Sequence, residues 1–486
     1  MRKHNQESGR NTQLSYTGIG TMTNRLSIIA FMVQVCLLSG AIAQDQNREV
    51  DSPNIIFILT DDQRWDAVGY AGNPIIETPN MDSLAQAGLR FSRAFVTTPI
   101  CAASRASLFT GLYERTHNFN FGQPPVSDAY MRESYPVLLR EQGYRTGFVG
   151  KFGVKINDGM MDEMFDSSKT EWLPYWKEID GKKIHMTDLH GDRAIDFIRS
   201  SGSQPFCLSL SFWAPHADDG KEKQYFWPES CDDLYVDDEI PVPATADPAF
   251  FEASPDYFKD TLSRERWYWR YDTPEKHQEM VKGYYRMITG IDRALGRIQA
   301  ALEGAGVADN TVIIFMGDNG YFLGERGYAG KWLMYDQSIR VPLFIYDPRQ
   351  PESTRGRTID EMALNVDVTP TILQLAGVEV PDRYQGESLV PFYSGTPDEW
   401  RTSVFCEHRI DTNPQLLKTD GIRDDTWKFI RYDDNPDLIE LYNLKDDSDE
   451  TRNLAYDAEY AEKVEYYRNE CEAMVEKLMA DRIDGE

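Results

Sequence analysis

The sequence predicts an α/β fold: a large, mixed and mostly parallel sheet flanked by helices, with a smaller C-terminal antiparallel-sheet subdomain. Two observations predict the main sheet. The continuous apolar runs Asn54–Thr60 and Thr311–Met316 are typical of strands buried on both faces, and residues 277–302 have the spacing of a long amphipathic helix. A third observation concerns residues 396–486. Short strand-like runs there are separated by polar turns, as in an antiparallel sheet.

Length and charge limit the classes of protein to which the chain can belong. With 486 residues, it is long enough for one large domain and a smaller one. A net charge of −28 at pH 7 argues against nucleic acid or an anionic membrane as a partner. We therefore expect an acidic globular protein that binds no nucleic acid.

The first 43 residues have the pattern of a signal peptide. Asn24 and Arg25 precede an apolar run, and a small-residue pattern ends at Ala43. Met22 is an alternative start, because the segment that follows it is a complete signal peptide by itself. The apolar run is short for a bilayer span, so we expect no transmembrane anchor and a periplasmic or extracellular location.

Acidic and amide side chains follow two of the predicted strands directly. Asp61 and Asp62 come after the first run, and Asp318 and Asn319 follow the second after one glycine. Neighbouring strand residues point to opposite faces, so Asp61 and Asp62 can face one ion only if the strand has ended. A single pair fits a solvated turn equally well, but two such pairs favour a site for a hard cation such as Ca²⁺ or Mg²⁺.

The segment that begins at Cys101 reads as a short loop entering a helix that ends at Gly111. The helix dipole and Arg105 would place Cys101 in positive potential, which suits an anion. Two further candidates for binding an anion follow predicted strands: Lys151, in a glycine-rich turn, and His216, after an apolar run and a proline.

The order Cys101-Ala102-Ala103-Ser104-Arg105, followed by Ala-Ser-Leu-Phe-Thr-Gly, resembles the signature of the sulfatase family. The resemblance extends from about Asn54 to Asn453. In that family the cysteine is oxidised to formylglycine (3-oxoalanine), whose hydrated aldehyde is the nucleophile. Ala103 stands where proline is commoner, so either a formylglycine-generating enzyme or an anaerobic sulfatase-maturating enzyme is an expected partner.

The resemblance also implies a bound calcium ion and a set of site residues. The implied metal ligands are Asp61, Asp62, Cys101, Asp318 and Asn319. The implied catalytic residues are Cys101, Arg105, Lys151, His216, Asp318 and Lys331, of which Lys151, His216 and Lys331 also contact the sulfate. The family usually has a histidine two residues after the first lysine, where this chain has Gly153.

Three further residues are candidates for contact with the substrate: His117, His408 and Arg409. Each lies near a predicted strand or helix end, and ordinary surface polarity explains each position equally well. The aromatic run Trp267-Tyr268-Trp269 is compatible with stacking on sugar rings or with covering the core.

The sequence thus predicts a secreted sulfatase that acts on a sulfated carbohydrate. Its domains are a signal peptide over 1–43, a catalytic sulfatase domain over 44–395 and a C-terminal subdomain over 396–486. One alternative is a phosphodiesterase or phosphonate monoester hydrolase on the same scaffold. The other is a non-catalytic binder of sulfated glycans.

Overall fold

The computed structural model describes residues 52–121 and 124–483, so the predicted signal peptide lies outside the described residues. The strands are β1 Asn54–Thr60, β2 Leu89–Phe91, β3 Ala94–Phe95, β4 Arg145–Gly150, β5 Ser167–Thr170, β6 Trp176–Ile179, β7 Lys182–His185, β8 Phe206–Ser211, β9 Thr311–Gly317, β10 Phe322–Leu323, β11 Ala329–Gly330, β12 Arg340–Val341, β13 Leu343–Tyr346, β14 Arg357–Ile359, β15 Ala363–Leu364, β16 Ser403–His408, β17 Thr419–Asp424, β18 Trp427–Tyr432 and β19 Asn435–Asn443. The α-helices are α1 Pro79–Ala87, α2 Cys101–Thr110, α3 Glu114–His117, α4 Asp128–Met131, α5 Tyr135–Glu141, α6 Met160–Met164, α7 Met186–Ser200, α8 Pro248–Glu252, α9 Leu262–Arg270, α10 Pro274–Gly304, α11 Asp336–Ile339, α12 Val368–Leu375 and α13 Ala461–Ala480.

The main sheet has eight strands in the order β14-β2-β13-β9-β1-β8-β4-β5. The five strands β9, β1, β8, β4 and β5 are mutually parallel. Strand β13 pairs antiparallel with both β9 and β2, and β14 is parallel to β2. The predicted mixed and mostly parallel sheet is therefore confirmed.

Strand β1 is buried on both faces, as its continuous apolar run predicts. Ile55, Phe57 and Leu59 belong to one hydrophobic cluster, and Ile56 and Ile58 to another. This alternation follows from the two-residue period of a strand. Helix α10 packs on the second cluster, and α2 contributes to the first. Helices on both faces explain why no polar residue interrupts the run.

The register of the parallel strands brings their carboxyl ends to one edge of the sheet. Thr60, the last residue of β1, pairs with Gly317 of β9. Ser211, at the end of β8, pairs with Leu59 on one side and Gly150 of β4 on the other. The residues that directly follow β1, β4 and β9 therefore emerge next to one another, where ligand sites of open α/β sheets are usually found.

The C-terminal residues form the predicted antiparallel sheet, in the order β16-β17-β18-β19. Phe429 and Leu441 of this sheet belong to the same hydrophobic cluster as the first face of the main sheet, and Tyr467 and Cys471 of α13 join it. The two sheets thus share one core. The boundary between residues 395 and 396 stays a prediction.

All five cysteines of the described residues are unpaired and buried: Cys101, Cys207, Cys231, Cys406 and Cys471. Cys207 and Cys231, the closest of these cysteines along the chain, form no disulfide bond with each other. Within the described part of the chain, no helix has both the length and the apolar character needed to cross a membrane.

Candidate active site

The site begins at the turn that follows β1. Asp62 has a φ of +68°, in the left-handed region that residues other than glycine rarely adopt. The tight turn ends the strand and lets the neighbouring carboxylates of Asp61 and Asp62 reach the same place. The Tyr284 hydroxyl donates to the Asp62 carbonyl oxygen at 2.7 Å and accepts from the Arg64 amide at 3.1 Å, which fixes the turn against α10.

The second acid–amide pair, at the end of β9, meets the first. The Asp62 amide donates to Asp318 Oδ1 at 3.1 Å, and Asn319 Nδ2 donates to Asp62 Oδ1 at 2.7 Å. All four side chains are at most 1% exposed. The structure therefore brings together the two pairs that the sequence separates by more than 250 residues.

Helix α2 presents Cys101 and Arg105 to this cluster. Cys101 is the first residue of the helix, which ends at Gly111 with a φ of +69°. Arg105 Nε donates to Asp318 Oδ2 at 2.8 Å, and its Nη1 donates to Ser211 Oγ and to the Lys151 carbonyl oxygen, both at 2.5 Å. One guanidinium thus links the ends of β4, β8 and β9.

Two lysines that follow different strands complete the cluster. Lys151 follows β4 and forms an ion pair with Asp61, while its Nζ lies 4.4 Å from the ring centroid of Trp213. Lys331 follows β11 and forms an ion pair with Asp62, and its Nζ lies 3.9 Å from Asp61 Oδ1. Burial lowers the pKa of each lysine, but the carboxylates of Asp61 and Asp62 outweigh this effect and raise both pKa values, so both lysines stay charged.

His216 faces the same carboxylates. Its Nδ1 lies 2.6 Å from the Ala217 carbonyl oxygen, and its Nε2 lies 3.7 Å from Asp62 Oδ2. Because a carbonyl only accepts, Nδ1 carries the proton, and Nε2 is the nitrogen that points into the site. Burial lowers the pKa of His216, and Asp62 and Asp61 oppose that shift.

The cluster contains equal numbers of carboxylates and cations, but the pKa values of two of its carboxyl groups are shifted in opposite directions. Three carboxylates, Asp61, Asp62 and Asp318, face three cations, Arg105, Lys151 and Lys331. Burial raises the pKa of Asp61, but Lys151 and then His216, Arg105 and Lys331 hold it well below its usual range. Burial and the Asp61 carboxylate raise the pKa of Asp318 to about 6.

Two buried oxygens of the cluster are available as metal ligands. Among the described residues, Asp61 Oδ1 and Asn319 Oδ1 have no hydrogen-bond partner. Ligand atoms from Asp61, Asp62 and His216 lie within 4.8 Å of one another. A buried oxygen without a partner is costly, and a cation in contact with both oxygens would satisfy them. The residues present therefore fit a bound metal ion.

The segment around Lys331 is held by unusual local geometry. Trp332 has a φ of +82°, and its ring packs in a small cluster with Ile100, Ala103 and Ile410. Ala103, at the position where proline is commoner in the family, is fully buried in that cluster. Trp332 thus ties the Lys331 segment to the residues on either side of Cys101.

His117, one of the other predicted substrate contacts, lies in buried surroundings. Both ring nitrogens of His117 are occupied, by Ser107 Oγ at 3.1 Å and by the Phe119 amide at 3.1 Å. Burial lowers the pKa of His117 to about 3, so the ring is neutral. These contacts place His117 in the packing between α2 and α3, and its role in substrate binding stays a prediction.

His408 and Arg409 lie at the end of β16. His408 is fully buried, and its Nδ1 lies 2.9 Å from the Leu417 carbonyl oxygen. Arg409 pairs with Asp433 at 2.6 Å, and its side chain is 30% exposed. No contact in the described residues joins either side chain to the carboxylate cluster, and their role in substrate binding stays a prediction.

The aromatic run on α9 is partly covered, although Tyr268 is 52% exposed. The Arg264 guanidinium lies 4.0 Å from the Trp267 ring centroid and 4.5 Å from that of Tyr268. Trp267 packs against the second hydrophobic cluster. This arrangement favours a covering role for Trp267, the alternative to stacking on sugars.

The comparison with known proteins assigns the family. A sequence model of the sulfatase family matches residues 53–378, and a model described as the C-terminal part of N-sulphoglucosamine sulphohydrolase matches residues 324–477. The chain belongs to the sulfatase family. It is accordingly a sulfuric ester hydrolase, which sets aside a purely non-catalytic glycan binder.

Relatives of this sulfatase span nearly all of its length. The N-acetylglucosamine-6-O-sulfatase of Bacteroides thetaiotaomicron is 29% identical, over 87% of this chain and 86% of the relative. The arylsulfatase of Clostridium perfringens is also 29% identical, over 89% and 95%. A solved structure in complex with its substrate, D-glucosamine-2-N,6-O-disulfate, has a TM-score of 0.74 and 26% identity, covering 90% of this chain and 100% of that chain.

The phosphonate monoester hydrolase of Agrobacterium radiobacter has a TM-score of 0.73 and 24% identity, covering 88% of this sulfatase and 96% of that chain. At this level of identity the likeness shows a shared fold alone. Together these structures confirm the predicted fold class.

The sequence reasoning missed several residues that shape the site. Ser211 and Trp213 hold Arg105 and Lys151, and Asp219 and Trp332 lie close to His216 and Lys331. Each is within five positions of a predicted site residue or at the end of a predicted strand. The pattern alone gave no reason to select them, because a serine or tryptophan beside a strand end is usually structural.

Proposed function

We propose that this sulfatase removes sulfate from a sulfated carbohydrate, using a formylglycine formed from Cys101 and a bound calcium ion. The relatives named for N-acetylglucosamine-6-O-sulfatase activity and for a disulfated glucosamine substrate support a sulfated sugar. The observation that carries the proposal is the convergence of Cys101 and Arg105 on α2 with Lys151, Lys331 and the carboxylates at the strand ends.

A sulfate ester resists attack because its oxygens carry negative charge, so catalysis needs a strong oxygen nucleophile and surrounding positive charge. In the proposal, the hydrated aldehyde at position 101 supplies the nucleophilic oxygen. Arg105 and Lys151 hold that group and balance its charge. Asp318, which is buried and paired with Arg105, accepts the proton of the attacking hydroxyl.

The leaving oxygen of the sugar needs a proton or a neighbouring cation. We assign the proton to the imidazolium form of His216, whose Nε2 then carries a proton, and the neighbouring cation to Lys331; both side chains lie next to the Asp62 carboxylate. The assignment is supported by the direction of His216 Nε2 into the site and by the burial of both side chains, which strengthens their electrostatic effect.

The proposed metal ligands are Asp61, Asp62, Asp318, Asn319 and the modified residue 101. All offer oxygen, which suits Ca²⁺ better than a soft metal. The unpaired Asp61 Oδ1 and Asn319 Oδ1 support this assignment. When bound, the ion would supply positive charge that stabilises the anionic groups and lowers the pKa of a neighbouring hydroxyl.

The proposed location is the periplasm or the extracellular space. It rests on the signal-peptide pattern in residues 1–43, with cleavage after Ala43. The relatives include a Drosophila melanogaster protein named as an extracellular sulfatase, which is compatible with export. Conversion of Cys101 would require a maturation enzyme of the formylglycine-generating or the anaerobic type.

The decisive experiment combines mass spectrometry with kinetics on protein purified from the native host. We expect the peptide that carries residue 101 to have the mass of the aldehyde or its hydrate, and we expect turnover of 4-nitrophenyl sulfate. The Cys101→Ala variant, which cannot be converted, should lose this turnover. An unmodified thiol in fully active protein would rule out the proposed nucleophile.

The same assay distinguishes a sulfatase from the alternative, a phosphodiesterase or phosphonate monoester hydrolase. Phosphonate monoester hydrolases share the fold, so aryl phosphate diesters and phosphonate monoesters are the competing substrates. We expect kcat/KM to be highest for the sulfate ester, because the chain belongs to the sulfatase family and its relatives include two named sulfatases. A higher kcat/KM for the diester or the phosphonate would favour the alternative.

A further inference from the structure

Helix α9 places Arg266 beside the segment that carries Lys331. Arg266 lies with its guanidinium 4.8 Å from the Trp332 ring centroid, and Trp332 directly follows Lys331. Ser263, on the same helix, donates to the Lys331 carbonyl oxygen at 3.3 Å. The helix therefore packs directly on the segment that places Lys331, and Arg266 lies beside that segment.

Two guanidinium groups share one carboxylate at this position. Arg266 Nη2 pairs with Asp219 Oδ2 at 2.7 Å, and Arg270 pairs with the other oxygen of the same carboxylate. The trio carries one net positive charge. Arg270 is fully buried, whereas the side chains of Arg266 and Asp219 are 14% and 25% exposed. Arg266 Nε is buried and has no hydrogen-bond partner among the described residues.

The trio lies on the side of the site that we assign to the leaving sugar. Asp219 is three residues beyond His216. Burial raises the pKa of the Asp219 carboxyl, but Arg270, Arg266, His216 and Lys331 together lower it. The carboxylate is thus close to both residues proposed to serve the leaving oxygen, and Arg266 is the partly exposed cation next to it.

We propose that Arg266 binds a second anionic group of the substrate, a sulfate or a carboxylate carried by the sugar from which the first sulfate is removed. This inference rests on the proposed function. Asp219 and Arg270 orient the guanidinium, since the shared carboxylate fixes its position, while the side chain of Arg266 stays partly exposed. Trp332 supports its face, so little side-chain entropy is lost when the anion binds.

The test uses the full chain with Cys101→Ala, which binds substrate without turning it over, and measures affinity by calorimetry. The probes are N-acetylglucosamine 6-sulfate, glucosamine-2-N,6-O-disulfate and a glucosamine 6-sulfate linked to glucuronate. We expect the probes with a second anion to bind more tightly. Arg266→Gln should lower this preference about tenfold or more, the usual loss for a charge-assisted hydrogen bond.

Arg264→Gln is the matched control on the same helix. Arg264 donates to the Gly327 carbonyl oxygen at 3.0 Å and stacks on Phe251, so its loss disturbs α9 without touching Asp219. It should leave the preference unchanged, and Arg266→Lys should retain part of it. Comparing the two probes with a second anion distinguishes a sulfate from a carboxylate.

Three results would overturn the inference: no preference for either probe with a second anion, an equal loss of affinity for all probes in Arg266→Gln, or an equal change in the Arg264→Gln control. If no sugar binds, the inference fails as well. Turnover of 4-nitrophenyl sulfate by the unmutated enzyme reports separately on the proposed function.

Discussion

The side chain of Arg105 occupies the space that a β-carbon would need at Gly153. A β-carbon built on Gly153 would lie 2.8 Å from Arg105 Cδ, and Gly153 has a φ of +73°. Gly153 stands where the family usually has a histidine. In this chain the backbone conformation and the position of Arg105 both require glycine. A histidine at position 153 would therefore need a different backbone conformation and a different position of Arg105.

We therefore predict that Gly153→His lowers activity. The new side chain would need a left-handed backbone and would displace Arg105 from Asp318 and Ser211. We expect kcat/KM for 4-nitrophenyl sulfate to fall at least tenfold, and the free energy of unfolding to fall by about 1–3 kcal/mol. Kinetics and thermal unfolding measure both.

Gly143→Ala is the control for the backbone effect. Gly143 has a φ of +86° and has open space around its missing β-carbon, so it isolates conformational strain from contact with Arg105. It should cost about 1 kcal/mol and leave kcat unchanged. A fully active Gly153→His variant would show that Arg105 does not hold this position during turnover.

The second prediction concerns Asp318. Asp318→Asn keeps the shape of the side chain and the acceptor for the Asp62 amide, but it removes the negative partner of Arg105 and the proposed proton acceptor. We expect kcat to fall by about 10²–10³-fold, as when a group that stabilises the transition state is lost. Circular dichroism should show that the fold is retained.

Asp347→Asn is a matched control for the loss of a buried carboxylate. Asp347 is fully buried and pairs with Arg349 at 2.8 Å, outside the cluster. It should lower stability while leaving kcat near that of the unmutated enzyme. Near-normal turnover of Asp318→Asn would contradict the role assigned to that residue.

Removal of the metal gives the third prediction. Treatment with a chelator should abolish turnover, and Ca²⁺ should restore it. Because Arg105, Lys151 and Lys331 balance the three carboxylates, we expect the metal-free protein to remain folded. Its free energy of unfolding should fall by about 3 kcal/mol relative to protein in a hundredfold excess of Ca²⁺ over Kd.

Elemental analysis and thermal unfolding check this expectation, with Asp62→Asn as a variant of reduced metal affinity. An active protein that contains no metal and does not respond to the chelator would contradict it.

The fourth prediction concerns pH and the buried carboxyl of Glu114, at the start of α3. Burial and the nearby Glu407 raise its pKa from 4.5 to about 8. Between those two values the folded state holds a proton that the unfolded state has released. The free energy of unfolding contributed by Glu114 must therefore fall as pH rises through this range, by at most about 1.4 kcal/mol per pH unit.

Glu114→Gln should remove this dependence, since the amide does not titrate and still accepts from Asn120 Nδ2, which donates to the carboxyl at 2.9 Å. The variant should gain stability relative to the unmutated protein as pH rises from about 5 to about 8. Glu465→Gln, on the exposed face of α13, should not. Parallel pH profiles for the unmutated protein and Glu114→Gln would contradict the raised pKa.

The local patterns of the chain were sufficient for the fold and the core of the site. The apolar run before Asp61 indicated a strand buried on both faces, and the structure pairs this strand with β9. Once β1, β4 and β9 are parallel neighbours, Asp61, Lys151 and Asp318 must emerge at one edge. The resemblance at Cys101–Gly111 then identified the helix that meets them.

Other contacts depend on packing between segments that carry no common pattern. The ring nitrogens of His117 are occupied because α3 folds back on α2, which a histidine near a helix end does not reveal. The position of Arg266 depends on how α9 packs against the Lys331 segment, within a long insertion with no motif of its own.

The sequence by itself determined the strands, the signature helix and the kinds of ligand at the strand ends, because these depend on periodicity and short spacing. Only the tertiary structure decided which side chains share partners: Arg105 beside Gly153, Lys151 on Asp61, and Asp219 between two arginines. Such contacts arise from distances of a few ångströms between residues far apart in the chain. Their energies depend on burial, which is a property of the assembled fold.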